Sequence, residues 1–265
     1  TYTGAHPETS PPSSRSIATD PSPTWVLARI LGAEEVIAHR MLNELAKDLW
    51  VAWTPQSFYG LRFGARMTVV RLDDGTLFLH SPIPIDEPMK TQIDALGRVE
   101  HIVAPNLFHH VHAHSAVAHY PSARLYVARG LDRKRPDLQP HAILGAGPPP
   151  DWSDEIEPLP IQGTILNETA FLHRPSGTLI CSDLIENFET SDHWLTRAYL
   201  RVSGVHGKPG LSRALRLAFR DKPAARTSLD AILERPFEAI CLAHGDPILR
   251  DGPEVLKESY RWLRP

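Results

Sequence analysis

Twice along the chain, two short apolar runs joined by a tight turn give way to residues of helical periodicity. No other feature limits the fold so strongly. The first pair is MTVVRL (67–72) and TLFLHS (76–81) around Asp73-Asp74-Gly75. An Asp-Gly corner between β-branched and apolar runs predicts a hairpin. Behind it, Met89, Ile93 and Leu96 recur at helical spacing up to Gly97, a residue suited to ending a helix. The second pair is ETAFLHR (168–174) and TLICSDLI (178–185) around Pro175-Ser176-Gly177, with helices expected near 191–201, 209–220 and 226–234. Between the pairs lie the strand VEHIVAP (99–105), a helix from near His109, with Asn106 placed to cap it, to before Pro121, and the strand ARLYVA (123–128). FEAICLAHG (237–245) and a closing helix at 252–263 complete the order. Strand pairs followed by helices, twice over, predict a layered α/β sandwich.

Ahead of this domain, residues 1–24 are rich in Pro, Ser and Thr and nearly free of branched apolar side chains, so they read as a disordered or surface-wrapped arm. From Trp25 to Leu49 apolar residues recur at spacings of three and four, which predicts an accessory helical segment over 25–47. That segment also offers a surface for a homodimer, and the main domain is expected over 48–265. With 42% hydrophobic and 22% charged residues, the composition excludes global disorder and coiled coil. A formal charge of −3 offers no broad basic surface, so nucleic acid is not an expected partner. No apolar run approaches the roughly 20 residues of a membrane span and no signal-peptide order opens the chain, so a cytoplasmic protein acting on a small-molecule substrate is expected. The 25 prolines imply long, stiff connections, among them the passage RKRPDLQPHAILGAGPPPDWSDEIEPLP. Cys181 and Cys241 sit in apolar runs, where free buried thiols or a bridge both fit.

Chemistry concentrates at three strand ends. VAPNLFHHVHAH carries His109 and His110, LICSDLI carries Asp183, and ICLAHGD carries His244. Six of the 14 histidines fall between His101 and His119. Strand ends along one sheet edge are where open α/β folds gather ligands. Imidazoles and a carboxylate meeting there suit zinc, iron or manganese.

In order, RMTVVRLDDGTLFLHSP, HIVAPNLFHH, HRPSGTLICSDL and LAHG resemble the metallo-β-lactamase superfamily, in a divergent branch known as a domain of unknown function. The resemblance covers about residues 48–263 and implies an αββα sandwich. The superfamily motif is H-x-H-x-D-H. Aligned on its last His, this chain has Pro105 and Leu107 where the first metal's ligands belong, and lacks the later Gly-His-Thr-Pro-Gly turn. The second site is better kept: His109 stands in the Asp place, His110 keeps the His, and Asp183 and His244 match the remaining carboxylate and imidazole. The resemblance therefore implies one divalent ion, zinc first and iron or manganese as alternatives, held by His109, His110, Asp183 and His244.

One ion with an open position would acidify a bound water for attack on a small ester, thioester or lactone. Four protein ligands on a tetrahedral ion would close that position, unless the ion is five-coordinate or Asp183 acts as base. Asp183 and His110 are the expected catalytic pair. Arg66 could clamp substrate or pair with an acid, and His80 could meet a ligand from behind or substrate. Arg133, Lys134 and Arg135 could face an anionic substrate. The competing readings are a degenerate binding or accessory protein, and an iron-dependent redox protein.

Overall fold

The computed structural model describes residues 41–147 and 150–263. The expected arm over 1–24, and the helical reading of 25–40 with its homodimer surface, lie outside the described residues. Where the expected accessory segment enters them it is strand. β1 (Asn43–Ala46) pairs antiparallel with β2 (Leu49–Thr54) across a turn that holds Asp48 at φ 60°. Arg71 fixes this turn by donating to Asp48 Oδ1 at 2.6 Å. Leu42, Leu45 and Leu49 fit a helical repeat, but β2 has a full ladder to pair with on the main sheet, and tertiary pairing overrides local periodicity.

A two-stranded flap follows, β3 (Ser57–Phe58) with β4 (Leu61–Arg62). Next come β5 (Ala65–Arg71) and β6 (Thr76–His80), the expected hairpin. Its corner is closed by Asp74 Oδ1, which accepts from Thr76 N at 2.8 Å and Thr76 Oγ1 at 2.7 Å. α1 (Glu87–Leu96) starts at Asp86, whose Oδ1 accepts from Met89 N at 3.0 Å, and it ends at Gly97. β7 (Arg98–Ala104), α2 (Ala113–His119), β8 (Arg124–Val127), the short α3 (Leu131–Lys134) and β9 (Ala142–Ile143) complete the first half. The second half holds β10 (Ile156–Pro160), β11 (Thr169–His173), β12 (Thr178–Ile180), α4 (Trp194–Ser203), α5 (Arg213–Arg216), α6 (Lys222–Leu233), β13 (Ala239–Cys241) and α7 (Gly252–Ser259).

Seven strands form one sheet in the order β1-β2-β5-β6-β7-β8-β9, and four form the other, β10-β11-β12-β13. Side-chain alternation divides the core into three layers. Met67, Val69, Leu77 and Leu79 face α1 and α2 with Met89, Ile93, Ala113 and Ala116. Val70, Phe78, Val103, Phe171 and Ile180 fill the space between the sheets. Leu172, Leu179 and Ile240 face α6 and α7 with Leu229, Ile232 and Leu256. This is the αββα sandwich expected from the sequence.

The proline-rich passage does more than connect. Trp152, 2% exposed, drops between the sheets and meets Phe78 at 5.0 Å and Tyr126 at 5.4 Å between ring centroids. β10 tolerates Pro158 and Pro160 because it is the edge of its sheet. Cys181 and Cys241 are free and buried, one packed toward the helices and the other between the sheets, so they face away from each other. No described helix is long and apolar enough to cross a membrane.

Candidate metal centre

His109, Asp183 and His244 meet at one edge of the sandwich, where each offers a ligand atom within 4.8 Å of the others. His109 Nε2 lies 3.0 Å from His244 Nε2, and Asp183 Oδ1 lies 3.6 Å from the first and 3.4 Å from the second. The three residues stand just past the ends of β7, β12 and β13.

Asn106 places the first two. Its Oδ1 accepts from Phe108 N at 2.8 Å and His109 N at 2.7 Å, a local Asx turn that folds the chain back over the strand end. Its Nδ2 donates to Asp183 Oδ2 at 2.7 Å and to Glu168 Oε2 at 3.3 Å. Glu168 in turn accepts from Ser182 N at 2.8 Å and Asp183 N at 3.0 Å, anchoring the turn after β12. Ser81, buried and at φ 53°, sets the far side of the first imidazole, with Oγ 2.7 Å from His109 Nδ1.

His244 is held from the first sheet. Its Nδ1 donates to Gly64 O at 2.8 Å, which leaves Nε2 with its lone pair toward the centre. Arg66 donates to Leu242 O at 2.7 Å and Gly245 O at 2.6 Å, on either side of the histidine. Gly64 has φ 66°, and a Cβ there would lie 2.3 Å from the Trp53 ring.

Burial raises the Asp183 carboxyl, but His109 and His244 together outweigh it and hold it well below the usual carboxylate range. Burial lowers His244, and the hydrogen bond and charge of Asp183, with Glu186 and the Gly64 carbonyl, more than reverse this. Glu168 goes the other way, raised by burial and then by the Asp183 charge. The centre thus carries one ionised carboxylate facing two imidazoles.

His110 does not join them. The helix expected from His109 begins only at Ala113, and within the intervening turn consecutive side chains diverge. His110 is buried beside the trio and puts Nδ1 3.2 Å from Arg135 Nη1. The catalytic and ligand roles expected for it therefore find no support in the geometry. His80 faces the inter-sheet core, ring to ring with Phe171 at 5.5 Å, and the outer contact expected of it is made by Ser81. Arg66 is buried, spends Nη1 on backbone carbonyls and feels the charge of Asp246. His114 is exposed on α2. Glu168 and Ser81 were missed by sequence reasoning.

The approach to the centre is apolar. Phe63 packs on the His244 ring at 6.2 Å, backed by Phe188 at 5.7 Å and Tyr199 at 5.4 Å. On the flap, Tyr59 is 89% exposed, and Phe58 meets Phe108, 46% exposed, edge-on at 6.3 Å. Arg62 N donates to Thr196 Oγ1 at 2.8 Å and pins the flap to α4.

This two-sheet architecture is the metallo-β-lactamase fold. A metallo-β-lactamase from Pontibacter korlensis superposes with a TM-score of 0.57 at 8% identity, covering 84% of this chain and 98% of that one. A metallo-β-lactamase from Hirschia baltica gives 0.56 at 12%, covering 84% and 97%. FIM-1 from Pseudomonas aeruginosa, in its mono-zinc form, gives 0.54 at 13%, covering 84% and 96%. No curated protein sequence matches. The profile of the domain of unknown function DUF4336 matches residues 47–199, more than half of the chain, and the protein belongs to that family.

Proposed function

We propose that this protein is a single-metal hydrolase of a small ester, thioester or lactone, with His109, Asp183 and His244 as its metal ligands. The convergence of two imidazole Nε2 atoms and one carboxylate oxygen from three separate strand ends carries this reading. The donor set fits a divalent ion such as zinc, and the outer bonds of Ser81 and Gly64 to the two imidazoles are those that ligand histidines ordinarily have. An ion held by these three ligands would keep one position open for a water and lower that water's pKa.

Three ligands in place of the expected four remove the conflict between holding the ion and leaving room for water. They also argue for one ion. Pro105 and Leu107 stand where the first metal's ligands would be, and Asp183 turns only Oδ1 to the histidines, its Oδ2 accepting from Asn106. A single zinc on this fold has a precedent in the mono-zinc form of FIM-1. Phe63 and the flap aromatics supply an apolar wall against which an acyl group can rest. Metal analysis of protein purified without added metal tests the reading. About one equivalent of zinc, iron or manganese supports it; protein that neither retains nor takes up such an ion sinks it in favour of an accessory role.

A further inference from the structure

We propose that the substrate carries a carboxylate or phosphate, held beside the centre by the cationic loop after β8, with Lys134 as its principal contact. This rests on reading His109, Asp183 and His244 as the reacting centre. The chain has a formal charge of −3, yet residues 129–135 read RGLDRKR, four cations against one acid. Arg129, Arg133 and Lys134 are exposed, and among the described residues none of them forms an ion pair.

A run of charges is usually just solvated surface. This one is tied to the turn that carries His109. Lys134 Nζ donates to Leu107 O and stands 5.3 Å from the centroid of the Phe108 ring. Arg135 lies 3.2 Å from His110 Nδ1, with its charge balanced by Asp137 at 2.6 Å. From the other side, Asn167 Nδ2 donates to Arg129 O at 3.0 Å and joins the loop to the segment leading into Glu168. Asp137 satisfies Arg135, so among the described residues Lys134 is a cation without an acid partner that touches the ligand-bearing turn. A substrate whose apolar body rests on Phe58 and Phe108 brings an anionic end to that ammonium.

The test uses the full chain, loaded with zinc and separately stripped with a chelator. Phenyl phosphate, phenylacetate and neutral phenylacetamide are titrated in, with binding read by ligand-observed NMR. At least one anion should bind about tenfold more tightly than phenylacetamide, and Lys134→Glu should erase that preference. Lys257→Glu, on α7, should leave it intact. Whichever anion binds separates phosphate from carboxylate. Equal binding of all three probes overturns the proposal, as does an anion preference that Lys134→Glu leaves in place, including one that appears only with zinc. Zinc content is measured in the same samples. One equivalent of zinc without anion preference removes this inference alone; anion preference without zinc uptake removes the metal reading alone.

Discussion

Asn106 donates to Asp183 Oδ2 at 2.7 Å and accepts from the His109 amide at 2.7 Å, so one buried side chain sets two of the three candidate ligands across 77 residues of sequence. Asn106 touches both residues, while Ser81 meets only the His109 ring and Glu168 only the Asp183 amide. The ligand geometry therefore depends on an amide, a group that can donate and accept at once.

Asn106→Leu should lower both stability and metal affinity. It strands Asp183 Oδ2 and two backbone N–H groups, and a buried group losing its partner costs about 1–3 kcal/mol. Urea melts should show a loss of about 3 kcal/mol, and competition with a chromophoric chelator should show zinc binding weakened about 10–100-fold. Unchanged zinc affinity would mean that Asp183 is oriented by something other than Asn106.

The histidines separate by position. His109→Ala and His244→Ala should abolish tight zinc retention, because each removes one of three donors. His110→Ala and His114→Ala should retain about one equivalent. Loss of metal in His110→Ala, with the protein still folded by circular dichroism, would put the ligand set wrong.

Acid should destabilise the fold through a residue outside the centre. Burial and then the His109 charge push His80 down to about 3, below the ordinary value of 6.5. Between those two values the unfolded chain binds a proton that the folded chain excludes. Stability is thus fully present above about pH 6.5 and is lost as pH falls toward the folded value. His80 Nε2 has no hydrogen-bond partner within the protein, so His80→Leu should be tolerated at neutral pH. It should flatten the pH dependence of urea stability by about 1.4 kcal/mol per unit between roughly pH 4 and 6. His101, lowered to about 4 mainly by burial, keeps part of the slope. An unchanged slope in His80→Leu would show that His80 is not excluded from protonation.

The sequence made three of the ligands legible because each follows an apolar strand with little between: His109 after VEHIVAP, Asp183 after TLIC, His244 after AICLA. His110 was expected as a ligand because it keeps the last His of the superfamily motif, whereas here Asn106 bonds the Phe108 and His109 amides, the helix is delayed to Ala113, and His109 is the imidazole brought to Asp183 and His244. β1 and β2 were hidden for a related reason. Their turn is Lys47-Asp48, without the glycine that marks such corners, and the leucines around it satisfy both periods. Glu168 left one trace, a carboxylate directly before a strand that is buried throughout, where an acid needs partners.

Gly245→Ala should be among the most damaging single-methyl changes. The residue sits at φ 92°, and a Cβ there would lie 1.9 Å from Asn187 O. The His244 carbonyl also accepts from Asn187 N at 3.1 Å, so the displacement reaches the ligand itself. A loss of about 2 kcal/mol or more in urea melts, together with weakened zinc binding, is expected. A variant as stable as the parent would show that the β13 turn yields without strain.

β13 slides in parallel beside β12 only after α4, α5 and α6 have crossed over the sheet. During synthesis, the strands bearing His109 and Asp183 are made well before the one bearing His244, and the family profile at residues 47–199 stops short of it. An ion meeting the nascent chain would find a two-pronged, weakly holding seat. On the single-metal reading, the seat is complete only once the final strand has arrived.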